Sequence, residues 1–197
     1  MSMSKNILNE LDLRRSREYT VYVKNIINKE FEKIKAKLIL NFEKHPITQE
    51  IDAGPNALNS SGTLGGVGNL FSYIGFEKGS KPTQVIKNLL MSGTGLTSII
   101  FKKDGSALTR VFYPTPDEIF KATPLPWAQG RSWAEGIERG LSGFGYYLSI
   151  ESNISRSGHG IQSKNNVRPG KFQNTKYITS IIREFEKDIQ ILNRSSF

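Results

Sequence analysis

Apolar residues recur every three or four positions from Tyr19 to Phe42: Tyr19, Val23, Ile26, Ile27, Phe31, Ile34, Leu38 and Phe42. Lys24, Lys29, Glu32, Lys33, Lys35 and Lys37 fill the other faces. This period predicts a long amphipathic helix that stops just before Pro46, because the residue preceding a proline avoids the helical region. A second stripe, Tyr177, Ile178, Ile181, Ile182, Phe185, Ile189 and Leu192, predicts an amphipathic helix near the other end of the chain.

Between these helices the pattern changes. Ile47 to Gly68 is rich in Gly, Ser, Asn and Pro and is expected to be a long loop. NLFSYIGF, residues 69–76, has strand character, and KPTQVIKNLLM before Gly93 suits a short helix. TSIIFKKDGSALTRVFY sets two β-rich runs on either side of Asp104-Gly105, the signature of a tight hairpin. Thr115-Pro116-Asp117-Glu118 marks a helix start, with a capping hydroxyl, proline at the first position and acids against the dipole. PLPW breaks that helix, RSWAEGIERG adds a turn or two of helix, and GFGYYLSIE reads as a further strand. The expected fold class is α+β: a small, mostly antiparallel sheet with a β-hairpin, packed by long N-terminal and C-terminal helices.

The expected organisation is one α+β domain over residues 1–197, with an N-terminal arm at 1–17 and a basic, flexible loop at 152–176. That loop contains Arg156, Lys164, Arg168, Lys171 and Lys176 and no acid. The whole chain carries a formal net charge of +9, and the excess is uneven. Residues 45–150 hold 9 basic and 8 acidic side chains, against 10 and 6 in residues 1–44 and 8 and 4 in residues 151–197. Basic ends suit a polyanionic neighbour, either nucleic acid or an acidic protein surface, although a soluble protein with a high pI has the same composition.

Cysteine is absent, which removes disulfides, thiolate nucleophiles and cysteine-held metals from consideration. No window approaches the ~18 consecutive apolar residues of a membrane span. The first residues, broken by Glu10, Asp12 and three arginines, do not read as a secretory signal. The expectation is a soluble protein, or one built into a particle inside a cell, without a membrane partner.

Candidate chemistry is sparse. The glycines of SGTLGGVGN lack the lysine of a triphosphate loop and the spacing of a dinucleotide loop, and no helix is expected after them, so they read as a bend with positive φ. His45 sits where a histidine caps a helix end, and His159 lies between glycines in the basic loop. Asp117 and Glu118 fit first-turn acids, and Glu135 and Glu138 fit exposed pairs with Arg131 and Arg139. No catalytic constellation, metal site or cofactor is expected. Trp127 and Trp133 either form a protein-contact surface or anchor an irregular segment in the core, with base stacking a third option.

The order of segments is similar to one known group. A long first helix ends in HPIT, and EIDAGPNALNSSGTLGG and GNLFSYIGF follow. Then come FYPTPDEIFKATPLPWAQGRSWAEGIERGLSGFGYYL, SRSGHGIQ and a terminal helix. Over most of its length the chain resembles the tail-completion or neck proteins of long-tailed bacteriophages, small α+β subunits that form rings at the head–tail junction. The resemblance implies a non-enzymatic virion protein, assembled in the host cytoplasm, that joins tail to head. The implied partners are copies of itself, neighbouring connector, tail-terminator or tail-tube proteins, and packaged DNA. On that basis Trp127, Arg131, Trp133, Arg156, His159, Lys164, Arg168 and Lys171 are the expected interface residues. The alternative is a basic nucleic-acid-binding module.

Overall fold

The structure, a computed structural model, describes residues 16–66, 68–102, 106–126, 128–140, 146–151, 153–163 and 172–194. Helix α1 spans Arg17–Lys44. It starts where Ser16 Oγ accepts the N–H of Tyr19 at 3.1 Å, which satisfies one of the first-turn donors. Of the arm expected at 1–17, only Ser16 and Arg17 lie within the described residues, and they cap and open this helix. Val23, Ile27, Phe31, Leu38 and Phe42 form its buried stripe.

The chain turns at His45, whose ψ of 133° is the extended backbone that Pro46 demands. It re-enters a helix at once: α2 covers Pro46–Asp52, with proline at its start and His45 Nδ1 accepting the N–H of Ile47 at 3.3 Å. The sequence reading placed these residues in a long loop. That reading is corrected, because the Gly, Ser and Asn that suggested it cluster after Ala53. Ile47 and Ile51, one turn apart, face the core.

A second correction concerns NLFSYIGF, expected as a strand. Leu70–Ile74 is a short helix, α3, with Asn69 Oδ1 accepting the N–H of Ser72 at 2.8 Å. Gly75 ends it at φ 84°, while the N–H of Phe76 returns to Phe71 O and the two rings pack 5.5 Å apart. This is a Schellman ending with its apolar contact. All five residues of α3 are buried, so no alternation or helical stripe is visible in the sequence.

Helix α4, Gln84–Ser92, leads into an antiparallel hairpin of β1, Gly95–Phe101, and β2, Ala107–Phe112. The Asp104-Gly105 turn lies outside the described residues. Helix α5, Pro116–Lys121, opens on the expected capping box of Thr115 and Glu118. Two short strands follow, β3 at Pro124–Leu125 and β4 at Ala128–Ser132, and then α6 at Trp133–Arg139. β5, Tyr146–Glu151, pairs antiparallel with β6, His159–Ser163. That pairing corrects the flexible loop expected over 152–176, because part of it is strand. HGIQS has a single large aliphatic residue, which gives little strand signal. Helix α7, Ile178–Arg194, closes the fold.

The architecture is α+β, with long helices at both ends and an antiparallel hairpin. Among the described residues the strands form three separate two-stranded ladders. α1 and α7 run antiparallel. Phe42 stacks on Tyr177 at 6.1 Å near one end, and Lys37 reaches Glu184 and Asp188 at 3.2 and 2.9 Å farther along. The two carboxylates raise the Lys37 ammonium above its usual range. The buried side chains make one continuous cluster. Each fully buried Ile or Phe contributes roughly 1.5–3 kcal/mol, so the apolar stripes rather than the exposed Lys37 pairs hold the helices together. β2 is fastened to α7 by Asn193, which accepts the N–H of Thr109 at 2.7 Å and donates to its carbonyl at 3.2 Å.

Candidate functional site

The glycine cluster encloses an anion after all, and the anion is the chain's own. Glu50 is 1% exposed. Its carboxylate accepts the N–H of Ser61 at 2.8 Å, the N–H of Leu70 at 2.7 Å, and the Asn59 amide at 2.9 and 3.1 Å. Asn59 Oδ1 accepts the N–H groups of Leu64 and Gly66 at 2.9 and 3.1 Å, tying the loop to the same centre. Gly62, Gly65, Gly66 and Gly68 take positive φ, as the bend reading requires. A helix does follow the cluster, contrary to expectation. Its first N–H is already occupied by Glu50. Buried charge must be met by donors, and Glu50 meets four such contacts.

Several other acids and His45 also have partners within the fold. Burial holds His45 below the usual histidine range, although Glu138 pulls the other way, and its ring lies 4.8 Å from that of Tyr177. Glu118 accepts the N–H and hydroxyl of Thr115 at 2.7 and 2.9 Å, which hold its carboxyl below the usual range. Glu135 pairs with Arg139 at 2.6 Å, as expected for neighbours on a helix. Glu138 departs from that expectation: it accepts the N–H of Thr179 at 2.7 Å and the Thr179 hydroxyl, so it caps α7. Asp117 lies 3.9 Å from Arg139. Among the described residues no three His, Asp or Glu side chains gather as a metal site.

A cleft of about 300 Å³ opens beside Asp52, Lys81, Thr83 and Lys87. Its polar groups are mostly paired with each other. Thr83 donates to Asp52, and Lys87 meets Glu43 at 2.5 Å.

The expected interface residues do not share one setting. Trp133 is 2% exposed, with its indole edge-on to Phe76 at 5.6 Å. It anchors α6 in the core, so its ring does not reach the surface as a contact residue would. Arg131 is exposed on β4, and Arg156 is exposed in the turn between β5 and β6. The structure brings these two segments together: Arg156 Nη1 donates to Pro126 O at 3.0 Å, and the N–H of Lys78 reaches Arg156 O at 3.2 Å. Next to Arg156, Ile154 is 93% exposed. His159 begins β6, in register with Glu151. Trp127, Lys164, Arg168 and Lys171 lie outside the described residues.

The segment that follows Lys171 is anchored. Phe172 stacks on Tyr73 at 5.6 Å, Gln173 N–H reaches Thr63 O at 2.9 Å, and Thr175 N–H reaches Ile137 O at 3.0 Å. Neither these tertiary partners nor the exposure of Ile154 has a local signal in the sequence. No helix among the described residues is long and apolar enough to cross a membrane. No protein-family model matches the chain, and no curated protein or solved structure compared with it is significantly similar.

Proposed function

We propose that this chain is a structural subunit of the neck or tail of a long-tailed bacteriophage: a ring-forming tail-completion or head–tail connector protein that joins tail to head. One observation carries the reading. Four groups suited to acid–base chemistry, Glu50, Glu118, Glu138 and His45, are held by backbone and side-chain partners of the fold. The groups offered outward are of another kind. Arg131 is exposed on β4, Arg156 and Ile154 are exposed in the β5–β6 turn, and Arg156 ties that turn to the β3–β4 hairpin through Pro126 O. Exposed arginine beside exposed aliphatic surface is what protein contacts use. The segment order that resembles neck proteins supports the same reading.

A ring subunit meets its neighbours through heterologous contacts, in which one face of a copy docks on a different face of the next. On this proposal the Arg131–Arg156 face is one of the two. Its partners are other copies, the neighbouring connector, tail-terminator or tail-tube proteins, and packaged DNA through its cationic groups. Light scattering on the purified chain, alone and mixed with the particle proteins encoded beside it, tests this. A mass of several copies, or a complex with one of those proteins, is expected. A monomer in both samples that binds ordinary duplex DNA with steep salt dependence overturns it in favour of a nucleic-acid-binding module.

A further inference from the structure

The β1–β2 hairpin has two outer edges, and the chain treats them differently. Asn193 occupies the outward N–H and C=O of Thr109 on β2 at 2.7 and 3.2 Å. Thr109 is opposite Ile99, so that pair is one whose backbone groups point away from each other. The N–H of Lys102 reaches Ser106 O at 2.8 Å, which makes that pair a hydrogen-bonded one and confirms the alternation. It follows that Ile99 and Phe101 direct their N–H and C=O groups out of the free edge of β1. Among the described residues no group meets them.

An open edge with an apolar strand is a template for another strand, and proteins ordinarily blunt it with charge, proline or a bulge toward its middle. Gly95–Phe101 contains no charge and no proline, and its register shift, between Leu96 and Ser98, leaves the Ile99–Phe101 stretch in regular pairing. Its outer face carries Ile100, 36% exposed, and the neighbouring strand adds Phe112, 51% exposed.

We infer that β1 pairs with β1 of a second copy, antiparallel, with Ile100 on the two-fold axis. This register is the one in which Ile99 of each strand lies opposite Phe101 of the other. All the outward groups of both residues are then used, and Ile100 covers its own counterpart. An antiparallel pair also keeps Lys102 of the two strands at opposite ends, whereas a parallel pair would set them side by side. The result is a four-stranded sheet across the dimer whose remaining edges are the Asn193-capped ones. An isologous pair differs from the heterologous contact that closes a ring. The inference therefore goes beyond the proposed function, and either can fail alone.

Charge exchange at the axis tests it in the full chain. Ile100→Lys and Ile100→Glu each set like charges face to face, on a side chain exposed enough that the subunit keeps its fold, as circular dichroism checks. Wild-type chain should pair in a concentration-dependent way in analytical ultracentrifugation, each variant alone should not, and an equimolar mixture of the two should regain the pairing as heterodimer. Amide exchange at Ile99 and Phe101 should slow by about tenfold or more from dilute to concentrated wild-type protein. Pairing unaffected by either variant, a mixture no better than its components, or exchange at these amides independent of concentration would overturn the inference.

Discussion

The carboxylate of Glu50 accepts the backbone N–H of Leu70 at 2.7 Å, joining the second helix of the chain to the first turn of the third. This contact explains why a glycine-rich loop that resembles a phosphate cradle has no room for one. The loop wraps a side chain that arrives from α2, and its glycines let the N–H groups converge.

Glu50→Ala removes the acceptor from three donor groups in a buried place. The variant should lose on the order of 4 kcal/mol of stability, read as a lower urea midpoint. Glu50→Gln keeps the shape but turns an amide toward two N–H groups, and it should lose roughly half as much. A loss below about 1 kcal/mol for the alanine variant would show that the loop holds its form without this centre.

Two glycines flanking Thr94 should respond differently to alanine. A methyl group at Gly93 would lie 2.5 Å from the carbonyl oxygen of Leu89, which is helix backbone. At Gly95 it would lie 2.4 Å from the ring of Phe112, a half-exposed side chain that can swing aside. Gly93→Ala should cost roughly 1–3 kcal/mol and Gly95→Ala less, by thermal denaturation. The reverse order would mean that the Phe112 ring is fixed over Gly95.

His45 makes stability depend on pH in a defined direction. Burial lowers its folded-state value from 6.5, with Glu138 opposing to a smaller extent. The unfolded chain therefore binds the proton more readily, and stability falls as pH drops through 6.5 toward the lowered value. Protonation also removes the acceptor that caps α2. His45→Asn retains an oxygen acceptor without titrating there, so its unfolding free energy should be flatter between about pH 7 and 5 than that of the wild type. Parallel curves would assign the acid sensitivity elsewhere.

Tyrosines set the alkaline limit. Burial pushes Tyr73 and Tyr113 up to about 12, with Glu186 adding to the effect at Tyr113, and Tyr177 is pushed further still. Their contribution is present below the unfolded value of about 10 and is lost as pH rises beyond it. In an absorbance titration of the 7 tyrosines these three should ionise last, together with loss of the fold. Tyr177→Phe should delay alkaline unfolding while costing about 1 kcal/mol near neutrality, because Thr48, whose hydroxyl lies 2.6 Å from Tyr177 Oη, loses its partner. Early titration of all seven would contradict these assignments.

The long helices were legible because Val23, Ile27 and Phe31, or Ile178, Ile181 and Phe185, repeat at one face of a 3.6-residue turn. Helix α5 was legible through its Thr115–Glu118 box, which is local chemistry. Helix α3 was not, because a segment buried on every side carries no period. Glu50 has no local signal for a related reason: its partners Ser61 and Leu70 come from other segments, so the sequence around it looks like that of any solvent-facing acid. Of the expected interface, Arg156 meets the β3–β4 hairpin that carries Arg131 through the carbonyl of Pro126, thirty positions away along the chain, a tertiary contact. Trp133 pointed inward, since one tryptophan beside PLPW looks the same whether its ring faces core or solvent.

On the proposed function, this chain acts by joining other proteins. The most direct measurement counts complete particles by electron microscopy after purified chain is added to filled heads and free tails made without it. Complete particles should appear with wild-type chain and become scarce with Arg131→Ala/Arg156→Ala, a variant whose melting temperature should be unchanged. Heads and tails that stay separate whether or not wild-type chain is present would contradict it.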